Sequence, residues 1–151
     1  MIGRMTQKSL AQKLAIKPGH DVAVVNDPPT AADIVSTLRS EAAIGDDVGS
    51  AQAVLLFVAD RAELARFWPS IGSSVRTDAV LWIAYPKRTS SVRTDLSRDH
   101  GWEPIIDSGL DTVSQVSLDE TWSALRFRRD PALRKARAAR GRPAPGHRPD
   151  A

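Results

Sequence analysis

Short runs of apolar residues recur along the first part of the chain. Asp21–Val25 (DVAVV) and residues 53–58 (AVLLFV) and 79–84 (AVLWIA) are apolar at nearly every position rather than at every second one. Continuous apolarity of this length is typical of strands that are covered on both faces, as in parallel sheets. A weaker strand is predicted over residues 42–46. Because helical patterns lie between the runs, we expect strand–helix–strand units with right-handed crossovers.

Two amphipathic helices are predicted between these strands. The helix over residues 30–39 places its apolar residues on one face, with Thr30 as the N-cap. The helix over residues 60–71 begins with Asp60 as its N-cap, and Glu63 follows at the spacing of a capping box. Pro69 is expected to end or kink this helix, because proline lacks the N–H that a helix interior needs.

The sequence from residue 101 onward predicts a different arrangement. Residues 112–118 and 122–128 flank a short polar turn, which is the pattern of an antiparallel hairpin. A short helix around residues 101–108 precedes it. Together the patterns predict a Rossmann-like α/β domain over residues 1–129. Its mostly parallel sheet has about six strands and ends in the antiparallel hairpin, with helices on both faces. Trp82, inside the third apolar run, is expected to be a core residue.

Composition limits the chemistry that this domain can perform. The chain has 151 residues, 42% of them hydrophobic, which suits a single globular domain. It has no Cys, so thiol catalysis and Cys-based metal sites are excluded. The three histidines share no metal-ligand spacing, and no metal site is predicted. Since no apolar run approaches the ~20 residues of a membrane span, we expect a cytoplasmic protein without membrane contact.

The positive charge is concentrated in a C-terminal tail. Residues 126–151 carry nine Lys/Arg and two Asp/Glu, whereas residues 1–125 carry twelve and sixteen. Residues 130–151 form a Pro/Ala/Arg-rich tail that we expect to be helical or disordered. One interpretation is a weak contact with nucleic acid or an acidic protein, and the other is a solvated tail. The residues that would make the contact are Arg134, Lys135, Arg137, Arg140 and Arg142.

The order of elements resembles the class I S-adenosylmethionine-dependent methyltransferase fold, whose sheet also ends in an antiparallel hairpin. The resemblance covers roughly residues 14–128, and one strand and one helix of the full fold are missing. A second resemblance is to short bacterial proteins of the domain of unknown function 3052 family. It is carried by the segments KLAIKPG, LFVADRAEL, LWIAYPKR, DLSRDHGWEP and DETWSALRF. This family implies a fold but no activity.

The methyltransferase resemblance implies a loop after the first strand with three glycines at alternate positions, where the backbone approaches the cofactor. Asn26, Pro28 and Thr30 stand at those positions here. Pro28 has no N–H to donate, whereas Asn26 can adopt the left-handed conformation of a glycine. The family also uses an acid after the second strand, and Asp46 has a fitting spacing. Asp46 also suits a solvated turn, and this is the favoured interpretation. We therefore predict no cofactor in the usual pose.

Ligands of open α/β sheets bind beyond the carboxyl ends of the strands. The candidate residues for such a crevice are Asn26, Asp27, Asp46, Asp60, Tyr85 and Lys87. Helix caps and loop charges are the alternative interpretation of these residues, and no catalytic residue is predicted. The adjacent acids Asp119 and Glu120 are interpreted as a solvated turn, because neighbouring side chains point apart.

The hexapeptide SSVRTD occurs twice, at residues 73–78 and 90–95. The first copy leads into the third apolar run and the second follows it. Because their surroundings in the sequence differ, both copies are interpreted as polar connections rather than as a structural repeat.

Three functions compete at this point. The leading hypothesis is a methyltransferase-like domain with lost cofactor glycines that acts as a non-catalytic binding or regulatory module. The first alternative is a small-molecule binder or enzyme that uses the crevice at the strand ends. The second is binding of nucleic acid or an acidic partner through the basic tail.

Overall fold

The computed structural model describes residues 8–129 of the chain. The basic tail residues Arg134, Lys135, Arg137, Arg140 and Arg142 lie outside these residues, as does the predicted tail at 130–151. The elements follow one another as α1 (Leu10–Lys13), β1 (Asp21–Val25), a 3₁₀ turn (Pro29–Ala31), α2 (Ala32–Arg39), β2 (Ala43–Gly45), β3 (Ala53–Phe57), α3 (Arg61–Ser74), β4 (Val80–Pro86), α4 (Glu103–Ile106), β5 (Asp111–Ser117) and β6 (Trp122–Arg128).

The six strands form one sheet in the order β2-β1-β3-β4-β6-β5. Neighbours from β2 to β4 pair in parallel, and β6 pairs antiparallel with both β4 and β5. The predicted α/β sheet of six strands is therefore confirmed, including the final hairpin. The hairpin folds back so that its second strand, β6, lies inside the sheet and β5 forms the edge. This is a Rossmann-like α/β architecture.

The direction of the chain across the sheet reverses beside β1. From β1 the chain moves to β2 on one side, and it then returns to β3 on the other side. Because crossovers between parallel strands are right-handed, this reversal places α2 and α3 on opposite faces of the sheet. It also leaves a crevice between the carboxyl ends of β1 and β3, where open α/β sheets bind ligands.

Two apolar layers cover the sheet, one on each face. On the α1 and α2 face, Trp82 is 2% exposed and its Nε1 donates a hydrogen bond to the Leu14 carbonyl at 2.8 Å. On the α3 and α4 face, Trp102 packs edge-on against Tyr85 with ring centroids 5.3 Å apart. Trp82 is thus a core residue, as the apolar run predicts, and the central strands are covered on both sides.

Two local expectations about the helices are corrected by the structure. Thr30 lies within the 3₁₀ turn and is not the cap of α2, whose N-cap is Ala31. Pro69 does not end α3, which continues to Ser74. The buried side chains of Trp68 and Ile71 on either side of Pro69 hold the last turns against the sheet.

The capping of α3 also differs in detail from the predicted box. The Asp60 side chain accepts a hydrogen bond from the Glu63 N–H at 2.9 Å, as expected of the N-cap. The Glu63 carboxylate, however, accepts from the Ala59 N–H at 2.8 Å, one residue before the cap. Glu63 is thereby drawn toward the end of β3.

No helix within residues 8–129 is long and apolar enough to cross a membrane.

Candidate functional site

Two neighbouring cavities lie at the carboxyl ends of the parallel strands. The first, which we call the apolar cavity, has a volume of about 400 Å³ and is lined by Asn26, Asp27, Pro28, Pro29, Thr30, Phe57, Ala59, Glu63, Val92 and Trp122. The second, the polar cavity, has a volume of about 510 Å³ and is lined by Asp60, Arg88, Ser90, Ser91, Val92, Arg93, Thr94 and Asp95. Val92 lines both, so the two cavities share a wall.

Asn26 bridges the ends of β1 and β3 at the point where the strand order reverses. Its backbone is left-handed, with φ of 61°, as the sequence allows for an asparagine in place of glycine. Its Nδ2 donates to the Phe57 carbonyl at 2.8 Å and to Glu63 Oε1 at 3.2 Å. Since Glu63 Oε1 also accepts from the Ala59 N–H, one carboxylate oxygen joins both strand ends. We call this arrangement the Asn26–Glu63 bridge.

The loop after Asn26 is stiff and poor in hydrogen-bond donors. Pro28 and Pro29 have no N–H, and the Ala31 N–H is taken up by the Pro28 carbonyl at 2.9 Å. Pro29 opens the 3₁₀ turn that leads into α2. A glycine loop would present several free amides and an open helix N-terminus to a ligand. The residues present here do not fit that way of holding S-adenosylmethionine.

The polar cavity is built around the N-terminus of α3. The second SSVRTD copy, residues 90–95, forms much of its wall. Asp95 Oδ1 accepts from the Arg61 N–H at 2.8 Å, and Asp60 caps the same helix. The two carboxylates are therefore held against the positive end of a 14-residue helix. Within residues 8–129, the side chains of Arg88 and Arg93 make no hydrogen bond or ion pair, and both are exposed.

Trp122 forms part of the wall of the apolar cavity. As the first residue of β6 it pairs with Pro86, the last residue of β4, which brings it to the same end of the sheet as Asn26. Its ring is 1% exposed and meets Phe57 edge-on at 5.2 Å between centroids. Among the described residues its buried Nε1 has no hydrogen-bond partner. Buried indole N–H groups usually have one.

Four of the six candidate residues from the sequence lie in or beside the two cavities. Asn26 and Asp27 line the apolar cavity, and Asp60 lines the polar one. Asp46 is exposed and lies with Asp27 in a separate hollow of about 350 Å³ beside the edge strand β2. Asp46 is thus near the crevice but outside both cavities.

Tyr85 and Lys87 turn away from the cavities toward the hairpin. The Tyr85 hydroxyl lies 3.3 Å from Gln115 Oε1, and the Lys87 ammonium donates to Ser117 Oγ at 2.6 Å. Burial raises the pKa of Tyr85, and Asp99 adds to the rise while Arg98 opposes it. These two residues join β4 and its loop to β5, and the structure does not bring them together with Asp27 or Asp60.

The hairpin turn uses its two acids differently. Asp119 Oδ1 accepts from the N–H groups of Thr121 and Trp122, both at 2.8 Å, and so fixes the start of β6. Glu120 is exposed. Within residues 8–129, no group of three His, Asp or Glu side chains could hold a metal ion.

Several residues that line the cavities are not among the candidates from the sequence. Val92 and Arg93 belong to the hexapeptide that the sequence pattern indicates is a polar connection, and Phe57 and Trp122 lie inside predicted strands. A signal for the first two was present, because a loop that follows a parallel strand lies at the carboxyl edge of the sheet. No local signal places Trp122 there, since its position follows from the long-range pairing of β6 with β4.

No family model matches the chain, and no curated protein matches it. Several solved methyltransferase structures align with it. The B. subtilis M1A22 tRNA methyltransferase is 13% identical, over 82% of this chain and 67% of that chain, with a TM-score of 0.44. The DhpI–SAH complex is 14% identical, over 82% and 83%, with a TM-score of 0.48. The ribosomal protein L11 methylase of Lactobacillus delbrueckii subsp. bulgaricus is 10% identical, over 80% and 75%, with a TM-score of 0.46. These likenesses concern the fold alone and carry no information about activity.

Proposed function

We propose that this chain is a methyltransferase-like domain that acts as a binding or regulatory module and does not transfer methyl groups from S-adenosylmethionine. One observation carries the proposal. The side chain of Asn26 is engaged by Phe57 and Glu63 in the Asn26–Glu63 bridge, at the strand ends where a glycine loop would leave room for the cofactor. The adjoining prolines remove two amides that a cofactor carboxylate would use.

The crevice keeps the dimensions of a ligand site despite this change. The apolar cavity, at about 400 Å³, falls within the range of roughly 300–1,000 Å³ that small-molecule pockets occupy. Its walls combine aromatic and proline rings with a few polar groups, which is the usual composition of such pockets. The one Glu that lines it, Glu63, holds the strand ends together, and this favours binding over acid–base chemistry.

Calorimetric titration of the full chain with S-adenosylmethionine tests the proposal. We expect no saturable binding in the low-micromolar range. Saturable binding at a single site in that range would contradict the proposal. Ligand-induced thermal stabilisation gives an independent readout, because a ligand at a hundred times its Kd adds about 2.7 kcal/mol to the stability of the fold.

A triple substitution to glycine at positions 26, 28 and 30 serves as the matched comparison. It restores the three alternate glycines and removes the bridge from Asn26. If the loop is what excludes the cofactor, the triple variant should bind S-adenosylmethionine more tightly than the natural chain. A thermal melt of both proteins confirms that the variant is folded before the titrations are compared.

We also infer that the chain belongs with the bacterial domain of unknown function 3052 proteins and works in the cytoplasm. The support for the family is the set of five segments quoted above, which are spread over most of the domain. Two of them span strand ends that lie beside the cavities: LFVADRAEL contains the end of β3 and LWIAYPKR contains the end of β4. A shared ligand among such proteins would support the inference, and unrelated ligands would contradict it.

A further inference from the structure

We propose that the two cavities together bind an aromatic acid, a molecule with a flat apolar ring system that carries a phosphate- or carboxylate-type anion. The ring would occupy the apolar cavity and the anion the polar cavity. This inference rests on the proposed function, because it names the ligand class for the same crevice. It is motivated by the shared wall at Val92 and by the contrast between the two linings.

The apolar cavity suits a flat ring. Its lining includes the rings of Pro28 and Pro29 and the edge-to-face pair Phe57 and Trp122, which are 0% and 1% exposed and set at 84° to each other. Flat rings gain dispersion and edge-to-face contacts on such walls.

The polar cavity suits an anion. Arg88 and Arg93 are exposed, and within the described part of the chain their guanidinium groups have no partner. Three hydroxyl side chains, those of Ser90, Ser91 and Thr94, line the same cavity. Guanidinium groups bind phosphate and carboxylate oxygens through charge-assisted hydrogen bonds, and hydroxyl groups complete such sites as neutral donors.

Two carboxylates also face this cavity and oppose an anion. Each is already bonded to the first turn of α3, Asp60 to the Glu63 N–H and Asp95 to the Arg61 N–H. The positive end of that helix offsets part of their charge. The side chains of the lining thus carry two positive and two negative formal charges, and the partial positive charge of the helix N-terminus leaves a positive excess.

The test uses 2-naphthyl phosphate as the probe and uncharged 2-naphthol as its control, both titrated calorimetrically into the full chain. We expect the phosphate to bind about tenfold or more tightly than the naphthol, because two guanidinium groups contact only the charged probe. Added salt should weaken the binding of the phosphate and leave that of the naphthol unchanged. Equal affinity for the two probes, or binding of neither, would overturn the inference.

The variant Arg88→Gln/Arg93→Gln should lose about tenfold in affinity for 2-naphthyl phosphate. The control is Arg76→Gln/Arg128→Gln, which removes the same charge at the opposite end of the sheet. Arg76 occupies in the first SSVRTD copy the place that Arg93 has in the second, and both control residues line a different hollow. The control should change affinity less than about twofold. An equal loss in both variants would show a nonspecific charge effect and overturn the inference.

Asp95→Asn provides a gain-of-affinity test. Asparagine can still accept the Arg61 N–H, so the cap on α3 is kept while a negative charge leaves the cavity. Binding of 2-naphthyl phosphate should tighten several-fold, and binding of 2-naphthol should not change. Unchanged phosphate binding would contradict an anion site in this cavity. If S-adenosylmethionine displaces either probe tightly, the proposed function is contradicted and not the anion site. This result distinguishes a failure of the proposed function from a failure of the present inference.

Discussion

Replacing Asn26 by glycine and by alanine separates the hydrogen bonds of the bridge from its backbone strain. Asn26→Gly removes the donors to the Phe57 carbonyl and to the Glu63 carboxylate but tolerates the φ of 61°. A neutral hydrogen bond contributes about 1 kcal/mol and one to a charged group about 1.5 kcal/mol or more. The flexibility that glycine adds to the unfolded chain costs a further ~0.5 kcal/mol. We therefore expect a loss of about 2–3 kcal/mol in the free energy of unfolding.

Asn26→Ala should lower the free energy of unfolding more than Asn26→Gly does. Alanine loses the same donors, and its Cβ makes the left-handed backbone unfavourable by roughly 1–2 kcal/mol. At most other positions alanine is the more stable of the two residues, so the reversed order is diagnostic of the strained conformation. Urea unfolding at neutral pH, with equal m-values for the three proteins, measures both differences.

Two results would refute this reasoning. If both variants unfold within about 0.5 kcal/mol of the natural chain, which is the range of ordinary surface substitutions, the bridge does not stabilise the strand ends. If alanine equals or exceeds glycine, the backbone at position 26 is not left-handed.

Three further predictions concern the core, an ionisable group and the tail. Trp82→Ala should cost about 3–5 kcal/mol in urea unfolding, because a fully buried indole is removed; a loss below ~1 kcal/mol would place Trp82 outside the core. Tyr85 is the one tyrosine of the chain, so its absorbance reports its ionisation directly. Since burial raises its pKa, the midpoint should lie above the ordinary value near 10. The stability that Tyr85 contributes should be present below pH ~10 and fall as the pH rises through the raised pKa, and Tyr85→Phe should flatten this alkaline loss. Removing residues 130–151 should leave the melting temperature nearly unchanged and abolish any salt-dependent DNA binding; equal binding with and without the tail would place that site on the body.

The strands could be predicted closely because their signal is local. Asp21–Val25 was predicted with the bounds that the structure has, since buried parallel strands are apolar at nearly every position. Trp122–Arg128 was also predicted with its observed bounds, from the polar turn that precedes it in the hairpin pattern. The insertion of β6 between β4 and β5 could not be predicted, because strand pairing is a long-range property. That insertion is what brings Trp122 to the crevice.

Candidate residues could be predicted where the end of a strand alone places them at the site. Asn26 and Asp27 follow a strand that the sequence identifies, and both line a cavity. Tyr85 could have been set apart by the alternation of side chains along β4. It shares the face of Leu81 and Ile83, which pack with α3, whereas Trp82 faces the other layer. Arg93 lies in an aperiodic loop, whose path no pattern of residues encodes.

The central claim is that the crevice binds ligands but has lost the cofactor site. Two-dimensional proton–nitrogen spectra of the full chain test it most directly, because the indole N–H of Trp122, assigned with Trp122→Phe, reports the apolar cavity and the amides of Asp27 and Thr30 report the loop. The account predicts that 2-naphthyl phosphate shifts the signals of the Trp122 indole and the Arg93 amide saturably. It also predicts that S-adenosylmethionine leaves the amide signals of Asp27 and Thr30 unshifted. Saturable shifts of Asp27 and Thr30 at low-micromolar S-adenosylmethionine would contradict it.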